Sequence, residues 1–198
     1  IVSPEIIGGQ DLYFQSTKPH ILKVTVRHTV DEMYDEFKII SSRGCTLETI
    51  EYHLPGIETP LIRSIHTMNL SDGKKYINYL STHDDQRQAL ENLYKIVNNV
   101  HSHLISGPDK ATFDKLIKDM EKQEEIIGIN LTNEEIAKIT SKEIEQLTSL
   151  KIPSTVTSID WNEFEKYKMN LKELTIPSTI KPLSKNCLEK CTNLTNIT

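Results

Sequence analysis

A segment near the C-terminus of the chain occurs twice in tandem, and this repeat limits the fold more than any other feature. Residues 147–170 read LTSLKIPSTVTSIDWNEFEKYKMN, and residues 171–193 read LKELTIPSTIKPLSKNCLEKCTN. A third copy begins at residue 194, so the copies start 24 and then 23 residues apart. A unit of this length cannot bury its apolar side alone, and neighbouring units must stack. We therefore expect a solenoid, an architecture that offers a surface to protein partners.

The repeat predicts one short strand in each copy. Leu150 and Ile152 alternate as the inward-facing residues of a strand do, and a proline, Pro153 or Pro177, follows in both copies and ends the strand. The apolar positions of the two copies coincide and are expected to face one core. These pairs are Leu147 and Leu171, Leu150 and Leu174, Ile152 and Ile176, Val156 and Ile180, Ile159 and Leu183, and Phe164 and Leu188.

The repeat resembles the BspA-type leucine-rich repeats. The matching residues are Leu171, Leu174, Ile176, Pro177, Ile180, Leu183, Leu188, Cys191 and Leu194, and Tyr167 stands where Cys191 does in the copy before. The resemblance implies a right-handed solenoid whose short strands line a concave face. The predicted fold class is therefore α+β, with a helical N-terminal domain followed by a leucine-rich-repeat solenoid.

The exposed strand positions between the core leucines are the candidate binding residues. In a stack they line up about 5 Å apart across adjacent strands and form a polar strip. They are Thr148, Ser149, Lys151, Lys172, Glu173 and Thr175. The alternative is that these side chains only solvate the sheet, since no aromatic residue or arginine stands among them to anchor a partner.

The rest of the chain divides into two predicted segments. Residues 1–16 contain QDLYFQS, which is close to a protease-cleavable linker, and are expected to be a tag remnant. Residues 17–125 are expected to form the mainly helical domain, with a strand over 21–26 and short helices and turns over 43–80. Residues 126–198 then hold a capping repeat, two full repeats and a truncated third. The capping segment, 133–146, reads equally well as a simple amphipathic helix.

A helical hairpin is predicted over residues 86–123. Its first helix carries apolar residues at alternating steps of three and four, namely Leu90, Leu93, Val97, Val100 and Leu104. Gly107 and Pro108 break the pattern, and Phe113, Leu116, Ile117 and Met120 begin the second helix. In such a helix His101 and His103 point about 200° apart and cannot share a metal ion.

No catalytic, metal-binding or cofactor-binding set is predicted. Cys187 and Cys191 have no second pair to complete a zinc site, and no phosphate-binding loop, nucleophile elbow or zinc-protease motif is present. Asp84 and Asp85 are explained as helix-start residues. The chain is therefore expected not to be an enzyme.

Charge and composition narrow the function classes. A net charge of −5 and a pI near 5.8 argue against nucleic-acid binding, and no stretch is apolar enough to span a membrane. Three scattered cysteines favour a reduced, cytoplasmic protein. The first hypothesis is an intracellular scaffold that binds an unidentified protein through its repeats.

Two other hypotheses and one assembly state stay open. A surface or secreted adhesin would suit the glycosylation triplets at Asn69, Asn130 and Asn193, and an adaptor would use its helical domain to dock. Because the third repeat stops after Leu194 and Ile197, we expect a fragment of a longer stack that self-associates through its open edge.

Overall fold

The computed structural model describes residues 19–55, 59–65, 69–140, 148–159, 171–180, 188 and 191–198, and its first part is built on an antiparallel sheet. Its five strands are β1 (His20–Arg27), β2 (Thr46–Tyr52), β3 (Leu61–Ser64), β4 (Val100–Gly107) and β5 (Glu125–Ile129). They lie in the order β3-β2-β4-β1-β5, and each strand is antiparallel to its neighbours. The central strand β4 is thus fully enclosed by its neighbours.

Four helices cover one face of this sheet, and a fifth follows it. They are α1 (Met33–Ser42), α2 (Leu70–Thr82), α3 (Asp84–Ile96), α4 (Lys110–Met120) and α5 (Asn133–Thr140). The side chains of Asn69 and Asp109 accept hydrogen bonds from the backbone of the first turns of α2 and α4, as residues at helix starts do. The apolar sides of α1 to α4 join the sheet in one core. The predicted strand over 21–26 and the predicted helix that contains Phe113 are confirmed.

The structure overturns the prediction of a mainly helical domain followed by a solenoid. The helix that begins at Asp84 ends at Ile96, and Val100 and Leu104 lie in strand β4. Asn98 and Asn99 have φ of 52° and 59°, and this left-handed conformation, which asparagine tolerates better than most residues, stops the helix. The predicted helical hairpin over residues 86–123 is therefore wrong, because a strand separates its two helices.

Residues 43–80 also differ from the prediction of short helices joined by turns. They hold β2, β3 and α2, with a tight turn at Gly44, where φ is 67°. Strand β2 reads TLETIEY, in which residues with strand propensity recur and burial is partial on one side. This strand pattern covers only seven residues. The prolines and glycines around it favour turns, and for this reason the sequence does not predict the strand.

The C-terminal part contains three short parallel strands. They are β6 (Ser149–Lys151), β7 (Glu173–Thr175) and β8 (Asn196–Ile197), and the register places Leu150 beside Leu174 and Leu174 beside Ile197. The predicted strand in each repeat is confirmed, whereas the described residues do not show the predicted solenoid. Predictions on residues 1–16, Leu147, Phe164, Tyr167, Leu183 and Cys187 lie outside the described residues.

The first repeat packs directly on the first part of the chain. The backbone N–H of Ile62 donates to the carbonyl of Ser158 at 3.0 Å, and the Ser154 hydroxyl donates to Oε1 of Gln86 at 2.7 Å. Leu150 and Val156 belong to the same apolar core as the sheet. Strand β3 and helix α3 thus carry the base of the repeats. None of the described helices is both long and apolar enough to cross a membrane.

Candidate metal centre

His101 and His103 lie on strand β4, two residues apart, and therefore point to the same face of the sheet. This face is the one covered by the helices, and both side chains are fully buried. The sequence-based argument that they point to different faces assumed a helix and is wrong. With the strand in its place, the same spacing brings the two imidazoles together.

His28 and Glu36 reach the same place from the chain segment that follows β1. His28 is the residue directly after the strand, and Glu36 lies on the buried side of α1, next to Phe37 and between Met33 and Ile40. A 3₁₀ turn over Val30–Glu32 joins the two, and its start is fixed by the Glu32 carboxylate, which accepts a hydrogen bond from the Thr29 backbone at 2.7 Å. The turn thereby places the Glu36 carboxylate, which lies on the apolar side of α1, against the helix-covered face of the sheet.

The four side chains offer a compact set of donor atoms. One donor atom from each of His28, Glu36, His101 and His103 can be chosen so that all lie within 4.8 Å of one another. Glu36 Oε1 is 2.6 Å from Nε2 of His103, Glu36 Oε2 is 3.2 Å from Nε2 of His28, and the His28 and His101 Nε2 atoms are 3.0 Å apart. Ligands held about 2.1 Å from one ion lie roughly 3.0 to 4.2 Å apart, and the two distances from His28 fall in this range.

Backbone carbonyls fix the orientation of two of the rings. The Nδ1–H of His28 donates to the carbonyl of Thr29 at 2.8 Å, and the Nδ1–H of His101 donates to the carbonyl of Asn99 at 3.2 Å. Each bond leaves Nε2 facing the cluster. Metal-binding histidines characteristically have their second nitrogen held in this way.

The charges of the cluster are strongly coupled. Burial alone would raise the pKa of Glu36, but the facing His103 and His28 hold it well below its ordinary value. Burial alone would lower the pKa of His28, but the charge of Glu36 outweighs this and raises it to about 9. Burial and the neighbouring His28 and His103 lower the pKa of His101. Without an ion, the centre is therefore a buried His28–Glu36 ion pair next to a neutral His101.

Several buried atoms of this cluster have no hydrogen-bond partner. They are both carboxylate oxygens of Glu36 and both ring nitrogens of His103. The short approach between Glu36 and His103 therefore lacks hydrogen-bond geometry. Buried polar atoms are almost always satisfied, so a set of unsatisfied donor atoms that face one point indicates a site for an ion.

A further histidine, His53, lies outside this centre. Its Nε2 is 3.1 Å from the Ser102 hydroxyl, which is 2.9 Å from the Thr25 hydroxyl. Ser102 points to the other face of β4, away from His101 and His103. Burial lowers the pKa of His53 to about 3, and the positive charge of Lys23 adds to the shift. His53 is thus a neutral, hydrogen-bonded histidine on the opposite side of the sheet.

Arg63 is a buried arginine that lies against a tyrosine ring. It is 6% exposed, forms no ion pair with a described residue, and its Nη1 has no hydrogen-bond partner. Its guanidinium carbon sits 3.8 Å from the centre of the Tyr76 ring. The buried hydroxyls of Tyr52, Tyr76 and Tyr94 form no well-aligned hydrogen bond. Burial raises the pKa of Tyr52 and of Tyr94, and the neighbouring Arg63 guanidinium opposes this rise at both residues. A cation–π contact is worth about 2 kcal/mol, less than the cost of burying the charge.

Replacing Arg63 with methionine should therefore stabilise the protein. The apolar side chain fills a similar volume and removes the desolvated charge, and replacing buried charges in this way adds about 1 to 4 kcal/mol in other proteins. Urea unfolding measures the change. The control is Arg43→Met, which removes a partly exposed arginine paired with Asp119 and should change the free energy of unfolding by less than about 1 kcal/mol. A loss of stability in Arg63→Met would contradict this prediction and would show that Arg63 has favourable polar partners in the core.

The predicted binding residues do line up on the three-stranded sheet. Thr148, Ser149, Lys172 and Glu173 are exposed, and Lys151 and Thr175 are half-buried. The Ser149 hydroxyl donates to Glu173 at 3.2 Å, and the Thr175 and Thr198 hydroxyls are 3.1 Å apart. Lys151 turns toward α3, where it lies 3.8 Å from the Asp85 carboxylate. A binding role for the strip stays a prediction.

The buried role predicted for Cys191 is confirmed, and Asp84 and Asp85 lie in the first turn of α3.

The chain resembles two families over different segments. The family model described as 3H domain matches residues 21–128, and the one described as BspA type leucine rich repeat region, with six copies, matches residues 120–198. The second match confirms the predicted repeats. A protein from Methanothermus fervidus is 39% identical over 142 residues, which are 72% of this chain and 22% of that protein. The chain thus spans about a fifth of the length of this relative.

Proposed function

For this chain, which belongs to the 3H domain family through residues 21–128, we propose that the sheet domain binds a divalent first-row transition metal ion. The ion would be held by His28, Glu36, His101 and His103. The observation that carries the proposal is the set of four buried side chains whose donor atoms face one another while those of Glu36 and His103 lack hydrogen bonds.

The donor set points to a class of metal. Imidazole nitrogen suits zinc, copper, nickel, cobalt and iron, whereas magnesium and calcium prefer oxygen ligands alone. No described cysteine lies in the cluster, so ions that require thiolate are disfavoured. The ion would replace the His28–Glu36 ion pair, and the carbonyls of Thr29 and Asn99 would keep two imidazoles oriented toward it.

Metal titration of the chelator-treated protein tests this proposal. Zn²⁺, Co²⁺ and Ni²⁺ are added in competition with a chromophoric chelator, and we expect one ion per chain. The variant His103→Gln should lower the affinity by more than about 100-fold, because loss of a group behind a ligand already costs 10- to 100-fold. The wild-type protein should also gain about 2.7 kcal/mol of stability when the free ion is 100 times the dissociation constant.

The matched control is His83→Gln. His83 is exposed at the start of α3 and does not belong to the cluster, so this variant should bind like the wild type. A wild-type protein that takes up no ion, or a folded His103→Gln variant with wild-type affinity and stoichiometry, would contradict the proposal.

A second function, protein binding by the repeats, is supported by the match to leucine-rich repeats. The exposed Thr148, Ser149, Lys172 and Glu173 offer a polar surface on the three-stranded sheet. Lys151 contributes less to such a surface than the sequence suggests, since it is engaged by the start of α3. We propose that a protein partner binds there and that the metal-binding domain forms the base of the repeats.

A further inference from the structure

Glu124 is a buried carboxylate beside the metal centre and is not one of its four grouped residues. It precedes strand β5, and its side chain is 4% exposed. Its Oε2 lies 3.7 Å from Nε2 of His28, and neither carboxylate oxygen has a hydrogen-bond partner. A buried carboxyl group without any hydrogen bond requires an explanation.

Glu124 also lines a cavity. The cavity has a volume of about 340 Å³, opens to the surface, and is lined by Glu36 and Glu124 together with Glu32, Asp35, Ile39, Lys122 and Gln123. Four of these seven residues are acidic and one is basic, so the lining attracts cations. Because Glu36 and Glu124 both line it, this cavity lies next to the centre on the side of Glu124.

The distances fit a fifth ligand. Two ligands about 2.1 Å from one ion lie about 3.0 Å apart at right angles and about 4.2 Å apart when opposite. The separation of 3.7 Å between Glu124 and His28 falls inside this range, as do the 3.2 Å between Glu36 and His28 and the 3.0 Å between His28 and His101, whereas Glu36 and His103, 2.6 Å apart, would have to separate slightly.

Charge balance favours the same arrangement. A divalent ion held by three neutral imidazoles and Glu36 alone would leave one net positive charge in the core, which is costly at this depth. A second carboxylate makes the centre neutral. Among the described residues, Glu124 is the remaining carboxylate that approaches the His28 ring.

On this basis we propose that Glu124 is a fifth ligand that closes the coordination sphere on the cavity side. The inference rests on the proposed metal-binding function. The centre would then hold its ion with three nitrogen atoms and two carboxylates. Such a set discriminates by charge, because it neutralises a divalent ion and would leave a monovalent ion with an excess negative charge.

The test compares Glu124→Gln with Glu125→Gln. Glu125 is the next residue, is exposed, and pairs with Arg27 on the surface, so it is a matched control. Co²⁺ affinity is measured by chelator competition, and the visible absorption of the Co²⁺-loaded protein reports the coordination directly. We expect Glu124→Gln to lose at least 10-fold in affinity and to change the Co²⁺ spectrum, while Glu125→Gln matches the wild type in both.

The outcomes distinguish failure of the fifth-ligand proposal from failure of the proposed metal binding. Urea unfolding of the metal-free protein checks that Glu124→Gln is folded. If Glu124→Gln binds Co²⁺ like the wild type, or binds weakly with an unchanged spectrum, Glu124 is not a ligand although the centre binds metal. If the wild-type protein binds no Co²⁺, the proposed function itself fails.

Discussion

Glu36→Gln should destabilise the metal-free protein by about 3 to 5 kcal/mol. The Glu36 carboxylate faces His28 and His103 at 3.2 and 2.6 Å, and it is the charge that keeps the pKa of His28 near 9. Without this negative charge, the buried His28 either stays protonated without its main partner or gives up its proton. Both states lower the free energy of unfolding. Loss of one member of a buried pair has this magnitude in other proteins.

Thermal unfolding in the presence of a chelator measures the effect, which corresponds to a decrease of roughly 6 to 20 °C in Tm for a chain of this length. The control is Asp35→Asn, the exposed neighbour on the same helix, which should shift Tm by less than about 2 °C. If the two variants have equal Tm, the ion pair contributes nothing to stability. Glu36→Gln should also lose metal affinity, because Glu36 is a proposed ligand.

Leu174→Ala is expected to have the second large effect, a loss of about 2 to 5 kcal/mol. Leu174 lies on the middle strand of the parallel sheet, pairs with Leu150 on one side and Ile197 on the other, and is 1% exposed. Removing its branched end leaves a cavity between two repeats that cannot collapse without breaking the register.

Urea unfolding gives the free energy, and Lys172→Ala is the control, since Lys172 is exposed in the same repeat. A change of less than about 2 °C in Tm for Leu174→Ala would be inconsistent with this register. The comparison also shows whether the repeats unfold with the sheet domain, because Leu150 and Leu174 belong to the core that contains the sheet. One cooperative transition is expected.

The repeats could be predicted from sequence because they contain the same information twice. Leu150 and Leu174 occupy equivalent places in two copies, and one copy confirms the reading of the other. The rest of the chain offers no such check. There the steps of three and four through Leu90 and Leu93 continue through Val100 and Leu104, although the helix stops at Ile96. Periodicity alone cannot distinguish a helix that continues from a strand that follows in phase.

The candidate metal centre could not be predicted for the same reason. The spacing of His101 and His103 excludes a shared ion on a helix and favours one on a strand, so an error in secondary structure reversed the chemical conclusion. Two signals were available in the chain: the adjacent Asn98 and Asn99, which end a helix well, and Glu36, an acidic residue on the apolar side of α1. The approach of His28 to His101 could not be deduced, because it depends on the pairing of β1 with β4.

That pairing has a consequence for the order of events during folding. His28 and His101 are 73 residues apart, and they meet only when β1 has found β4 at the centre of the sheet. Closing so long a loop is slow, and the unfolded chain offers an ion little more than the local pair His101 and His103. An ion therefore cannot act as the nucleus of this fold. On the proposed function, capture of the ion follows this step, and a bound ion records that β1 has paired with β4.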